Sequence, residues 1–232
     1  MPGHTSVELT PLGDTAVMVQ LGQTINPETH LKVKKLAIYL DQNPIPGMVE
    51  YVPAFTTIAV YYDPLKTSYK KICSILELIV SRSEDLTDPK PRTVEIPVCY
   101  AEEFGPDLEF VAKYNGLTPD QVIDIHSSNE YLMYMIGFAP GFPYLGGISK
   151  HIATPRRKFP RLSIPAGSVG IAGSQTGVYP ISTPGGWQII GRTPLDLFRP
   201  NENPPCLLQV GDLVKFRPIC REEYDAWKEN AQ

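Results

Sequence analysis

The spacing of apolar residues changes period several times in the first third of the chain. Val17, Val19 and Leu21 alternate with their neighbours, as on a half-buried strand. Asn26-Pro27 then supplies a helix start, Asn as the cap and Pro at the first helical position. Val33, Leu36, Ala37 and Leu40 follow on one face, and Pro44 and Pro46 end the helix. A second strand region runs through Tyr51-Val52-Pro53 and from Ile58 to Tyr62. A second helix is predicted from about Ser68 to Arg82, with Tyr69, Ile72, Cys73, Leu76, Ile79 and Val80 as its apolar stripe. This order predicts a small α+β domain over residues 1–85.

Residues 83–91 are polar, charged and proline-bearing, which predicts a linker over 86–92. A strand resumes at Val94, Ile96 and Val98. A short helix is predicted over Asp107–Tyr114, with Gly116 just past its end. Thr118-Pro119-Asp120-Gln121 is a capping box that opens another. From Tyr131 no helical period returns until the last few residues. Val169/Ile171, Gln188–Ile190, Leu207/Leu208 and Val214/Phe216 read as short strands between Gly and Pro turns. Residues 93–232 are therefore expected to form a mainly-β domain, a closed or nearly closed barrel.

Composition narrows the function. The chain has 232 residues and a net charge of −4. Its only basic cluster is Arg156-Arg157-Lys158, so nucleic acid is not expected as a main partner. No apolar run is long enough for a membrane span, and the first residues lack a signal-peptide pattern, so a cytoplasmic setting is expected. Cys73, Cys99, Cys206 and Cys220 have neither metal-ligand nor C-x-x-C spacing and read as free thiols, Cys73 in the core. No metal site is predicted. His30 reads as lying on an exposed part of a helix. His126 reads as a helix-end residue whose charge suits the dipole, and His151 as a surface residue. Asp14 and Asp212, each after a glycine, read as turn residues.

Pro, Gly and aromatic residues concentrate from Gly137 to Arg192. Two readings compete. Gly and Pro shape barrel corners while the rings fill the barrel, or rings on rigid turns present a face that loses little entropy on binding. Arg156, Arg161 and Arg192 are either anion ligands, through paired guanidinium donors, or solvated charges. Gln175, Ser168 and Tyr179 offer directional hydrogen bonds or serve turns. There is no G-x-S-x-G elbow and no Walker A loop, so a self-contained catalytic centre is not expected.

Long pieces of this stretch are similar to one family. They are Gly-Phe-Ala-Pro-Gly-Phe-Pro-Tyr-Leu (137–145), Pro-Arg (155–156 and 160–161), Ile-Pro-Ala-Gly-Ser-Val-Gly-Ile-Ala-Gly (164–173), Gln-Thr-Gly-Val-Tyr-Pro (175–180), Thr-Pro-Gly-Gly-Trp (183–187) and Gly-Arg-Thr-Pro (191–194). Leu12-Gly13-Asp14, Val52–Phe55 and Gly211–Phe216 match as well. The chain resembles the allophanate hydrolase subunit 1 family, which includes Kip-type inhibitors and the B-type 5-oxoprolinase subunits. Glu95–Tyr100 and Glu103–Leu108 resemble its branch from spore-forming bacteria.

The resemblance implies an α+β N-terminal domain followed by a cyclophilin-like barrel. It implies a subunit, inactive alone, that hydrolyses 5-oxoproline with ATP as co-substrate, together with a homologous larger subunit and a third subunit. Alternatively it implies an inhibitor that binds the dimerisation and phosphotransfer helices of a sporulation histidine kinase. By similarity, Phe138, Phe142, Tyr144, Arg156, Arg161, Gln175, Tyr179, Trp187 and Arg192 would line the binding groove. A carboxyltransferase-like role ranks last, because no biotin-carrier segment is present.

Overall fold

The computed structural model describes residues 7–82 and 91–230. The chain divides into two compact units, Met1–Lys90 and Pro91–Gln232. The expected linker lies outside the described residues up to Lys90. Arg92, assigned to that linker from the sequence, is instead held by Asp212 at 2.6 Å.

The first unit is an antiparallel sheet with two helices. Strands β1 (Glu8–Pro11), β2 (Ala16–Gln20), β3 (Met48–Pro53) and β4 (Thr57–Tyr62) lie in the order β1-β2-β4-β3. Helix α1 (Pro27–Gln42) starts where Asn26 accepts the Thr29 amide at 2.8 Å, and α2 (Tyr69–Ser81) starts at the Ser68 cap. Both helices bury their stripes against alternate residues of the sheet. Val33, Leu36, Ile72 and Leu76 meet Val17, Val19, Ile58 and Val60. His30 is 3% exposed, contrary to the sequence expectation, because it shares the inward side of α1 with Val33. Its burial, reinforced by Lys34, lowers its pKa to about 4. Cys73 is half-buried and packs against this core.

The second unit contains β5 (Thr93–Cys99), α3 (Leu108–Asn115), α4 (Pro119–Ser128), β6 (Glu130–Ile136), β7 (Pro143–Gly146), β8 (Arg161–Ile164), β9 (Ser168–Ala172), β10 (Gln175–Val178), β11 (Thr183–Gly185), β12 (Gln188–Arg192), β13 (Leu213–Ile219) and α5 (Arg221–Asn230). Seven of the strands close a barrel in the order β10-β7-β6-β13-β5-β12-β9, with β9 and β10 paired to complete the ring. β8 and β11 form a separate two-stranded ribbon. β5 and β13 pair in parallel over their whole length, from Thr93 opposite Leu213 to Cys99 opposite Ile219. Leu207 and Leu208, expected as a strand, lie in a loop whose one ladder contact is the Phe198–Cys206 bridge. Five prolines from Pro194 to Pro218 interrupt that stretch, and Pro cannot donate to a ladder.

α4 carries the capping box read from the sequence, with the Thr118 hydroxyl and the Gln121 side chain each bonding the other's amide. His126, near its end, is fully buried against Phe216 and Tyr131. Thr176 donates to the Gly170 carbonyl at 3.0 Å, so its oxygen receives the His126 Nε2–H, also at 3.0 Å. His126 Nδ1 then accepts from the Tyr100 hydroxyl at 2.8 Å. The imidazole is neutral, and burial lowers its pKa to about 3. The expected charge–dipole role is therefore replaced by a buried polar link between α4 and the barrel wall.

Candidate functional site

The Gly137–Pro143 segment connects β6 to β7 in a turn closed by two hydrogen bonds. The Gly137 amide donates to the Phe142 carbonyl at 3.1 Å, and the Phe142 amide to the Ala139 carbonyl at 3.0 Å. Phe138 has φ of 70° and Gly141 of 77°. A phenylalanine in this left-handed region is strained, and such strain is concentrated at functional positions. The turn sends Phe142 inward, 1% exposed, and Phe138 outward, 64% exposed.

Phe142 is the hub of the aromatic cluster. Its ring centroid lies 5.0 Å from Tyr144, 5.1 Å from Tyr179, 5.3 Å from Trp187 and 5.5 Å from Phe138. All four contacts are edge-to-face or tilted, the arrangement favoured by ring quadrupoles. Glycine makes room for them. A Cβ at Gly177 would stand 2.7 Å from the Pro143 carbonyl, and 3.2 and 3.3 Å from the Trp187 and Phe142 rings. A Cβ at Gly185 would collide with the Tyr179 hydroxyl. The first reading, rings filling the domain, holds for part of the cluster. Phe142, Tyr179 and Trp187 are packed as a core, while Phe138 and Tyr144 form its accessible edge.

Tyr179 accepts a hydrogen bond from the Trp187 amide. Burial still pushes its phenol up to about 12, against the opposing effects of that bond and of Arg156. Tyr144 is raised by burial and likewise opposed by Arg156. Both phenols are protonated donors near neutral pH.

The arginines go three ways. Arg161 is bidentate to Asp107, at 2.7 and 2.9 Å, and Arg157 reaches the same carboxylate at 2.8 Å. Asp107 is 4% exposed and also accepts the Ile189 amide at 2.7 Å. Arg161 is thus a structural partner instead of a free anion ligand. Arg192 ends β12 with its guanidinium 5.3 Å over the Phe104 ring and bonded to Tyr224, outside the cluster of five rings. Arg156 is exposed and sits close enough to influence both Tyr144 and Tyr179. Gln175 begins β10 on the same face as Gly177 but takes no part in the ring cluster among the described residues. His151 is exposed.

Two residues that sequence reasoning passed over, Asp107 and Arg157, fix the loop before β8. A signal for Asp107 was present: no Asp or Glu occurs between Tyr131 and Leu195, so a carboxylate to pair with that stretch had to come from elsewhere. Asp212, read as a turn residue, is also buried and paired with Arg92. Among the described residues no group of three His, Cys, Asp or Glu is placed to hold a metal ion, and no helix is long and apolar enough to cross a membrane. The accessible edge of the ring site presents the Arg156 guanidinium, the Tyr144 phenol and the Phe138 ring.

The family model "Carboxyltransferase domain, subdomain C and D" matches residues 7–208. The chain is 53% identical to the B-type 5-oxoprolinase subunit of Bacillus subtilis, over 97% of this chain and 98% of that protein. The crystal structure of a conserved uncharacterized protein from Pyrococcus horikoshii is 50% identical, covers 94% of this chain and all of its own, and superposes with a TM-score of 0.57. The structure of TTHA0988 superposes with a TM-score of 0.78 at 33% identity, and this chain spans 40% of that longer one. The chain belongs to the carboxyltransferase domain family, subdomains C and D, in the branch that holds the B-type 5-oxoprolinase subunits.

Proposed function

We propose that the chain is the B-type subunit of an ATP-dependent 5-oxoprolinase, which converts 5-oxo-L-proline, ATP and water into L-glutamate, ADP and phosphate. The carrying observation is 53% identity along 98% of the Bacillus subtilis protein of that name. Opening the lactam is uphill by itself. Transfer of the γ-phosphoryl group to the lactam carbonyl oxygen would activate that carbon. Water would then add to that carbon, the ring C–N bond would break to leave γ-glutamyl phosphate, and a second water would hydrolyse this acyl phosphate to the carboxylate and free phosphate. Such chemistry needs fixed cations for a carboxylate and for phosphate.

This chain supplies the Arg156 guanidinium, the Tyr144 phenol and an aromatic edge, in a barrel read as cyclophilin-like. Its role is then binding, with the rest of the centre contributed by a homologous larger subunit and a third subunit in the cytoplasm. The test is glutamate release from 5-oxoproline by the three co-purified subunits, with and without ATP and with and without this chain. Release that requires both ATP and this chain is expected, with none from the chain alone. Turnover by the isolated chain would overturn the subunit role. An intact but inactive assembly would shift the weight to the kinase-inhibitor role.

A further inference from the structure

Between Tyr131 and Leu195 the chain carries six Lys and Arg residues and no Asp or Glu, although its net charge is −4. Four of the six are arginines, and three have partners. Arg157 and Arg161 share Asp107, and Arg192 lies over Phe104 beside Tyr224. Arg156 forms no hydrogen bond or ion pair among the described residues.

Its backbone is nevertheless fixed on both sides. The Pro155 carbonyl accepts from the Gln188 side chain at 2.9 Å, and the Arg157 amide donates to the Gly186 carbonyl at 2.7 Å. Gly186 and Gln188 flank Trp187, so the root of Arg156 is tied to the segment that holds one of the clustered rings. Arg157 turns to Asp107, and the charge of Arg156 acts on the Tyr144 and Tyr179 phenols. A guanidinium carried on an anchored backbone beside aromatic rings, with no internal partner among the described residues, is available to an anion, and its fork matches a carboxylate.

We propose that Arg156 is the residue through which this chain holds the carboxylate of the cyclic amide substrate, with Tyr144 beside the ring. This rests on the oxoprolinase reading. ATP also carries anionic groups that a guanidinium binds, so the experiment separates the two sources.

The assembled three-subunit enzyme is prepared with the native chain, with Arg156→Ala and with Arg156→Lys. KM for 5-oxoproline and for ATP are measured separately. Equilibrium binding is measured for 5-oxo-L-proline and for 2-pyrrolidinone, which has the ring without the carboxylate. Arg156→Ala is expected to weaken 5-oxoproline binding and raise its KM by roughly ten- to a hundredfold, the value of a charge-assisted contact. The KM for ATP and the affinity for 2-pyrrolidinone stay unchanged. Arg156→Lys restores part of the loss, since it keeps the charge without the fork. Unchanged 5-oxoproline affinity in Arg156→Ala overturns the proposal, and so does a rise confined to the KM for ATP, which would assign the anion as phosphate. A native assembly that neither binds nor hydrolyses 5-oxoproline removes the oxoprolinase reading and the proposal together. An active native enzyme indifferent to Arg156→Ala removes the proposal alone.

Discussion

Phe138 holds a left-handed backbone that costs an L-residue about 1–2 kcal/mol, and its ring is largely in solvent. Phe138→Ala keeps that strain and deletes the ring, whereas Phe138→Gly deletes the ring and releases the strain. Phe138→Gly is therefore expected to be more stable than Phe138→Ala by about 1 kcal/mol in urea unfolding. This reverses the usual order of Ala over Gly, and the usual order would disprove the strain. The sequence placed the ring residues in one stretch, and the structure brings them together, but their division into buried and exposed was not legible. Arg161 and Arg156 both follow a proline, and only the position of Asp107, more than forty residues upstream, decides which one is spent on the fold. Asp107 looked like a helix-start residue, and its side chain in fact caps nothing. Local patterns carry no information about a pairing across such a separation.

At the scale of elements, each unit keeps a neutral histidine on the buried side of a helix, His30 on α1 and His126 on α4. Folded-state values near 4 and 3 lie below the ordinary 6.5, so the unfolded chain binds these protons first. Stability is complete above pH 6.5 and declines as pH falls towards 4 and then 3. The slope is about 1.4 kcal/mol per pH unit for each histidine while it lasts. Urea midpoints taken from pH 7.5 to 4.5 should show this fall, and a profile flat below 6.5 would contradict the buried neutral rings. Helices and their caps were legible because caps and stripes are local: Asn26 and Thr118 cap where the pattern placed them, and α2 begins at Ser68 as expected. β1 was not legible. Its Glu8–Pro11 segment is largely exposed, so it lacks the alternation that burial imposes.

At the scale of the molecule, separate hydrophobic clusters serve Met1–Lys90 and Pro91–Gln232. Residues 91–232 produced alone should unfold in one cooperative thermal transition with near-UV circular dichroism intact, since the barrel is closed within that span. A non-cooperative melt would mean that the first unit completes its core. The mainly-β character of this half was readable from turn density. Closure was expected on the same ground and is found, but the parallel pairing between the two ends of the unit that achieves it was not, because no local period encodes it.

That pairing also bears on how the protein is made. β5 emerges early from the ribosome, yet the partner that bonds all seven of its residues is β13, 120 positions later, while β12 touches it only at Arg192 opposite Cys99. During translation the opening strand of the barrel has almost no ladder of its own, and β6 also lacks its β13 neighbour. Nascent chains of this protein therefore carry unpaired strand edges until synthesis is nearly finished, the condition under which chaperones bind. A premature stop after Gly211 would release a chain with those edges permanently open, and quality-control proteases would meet it before any partner subunit did.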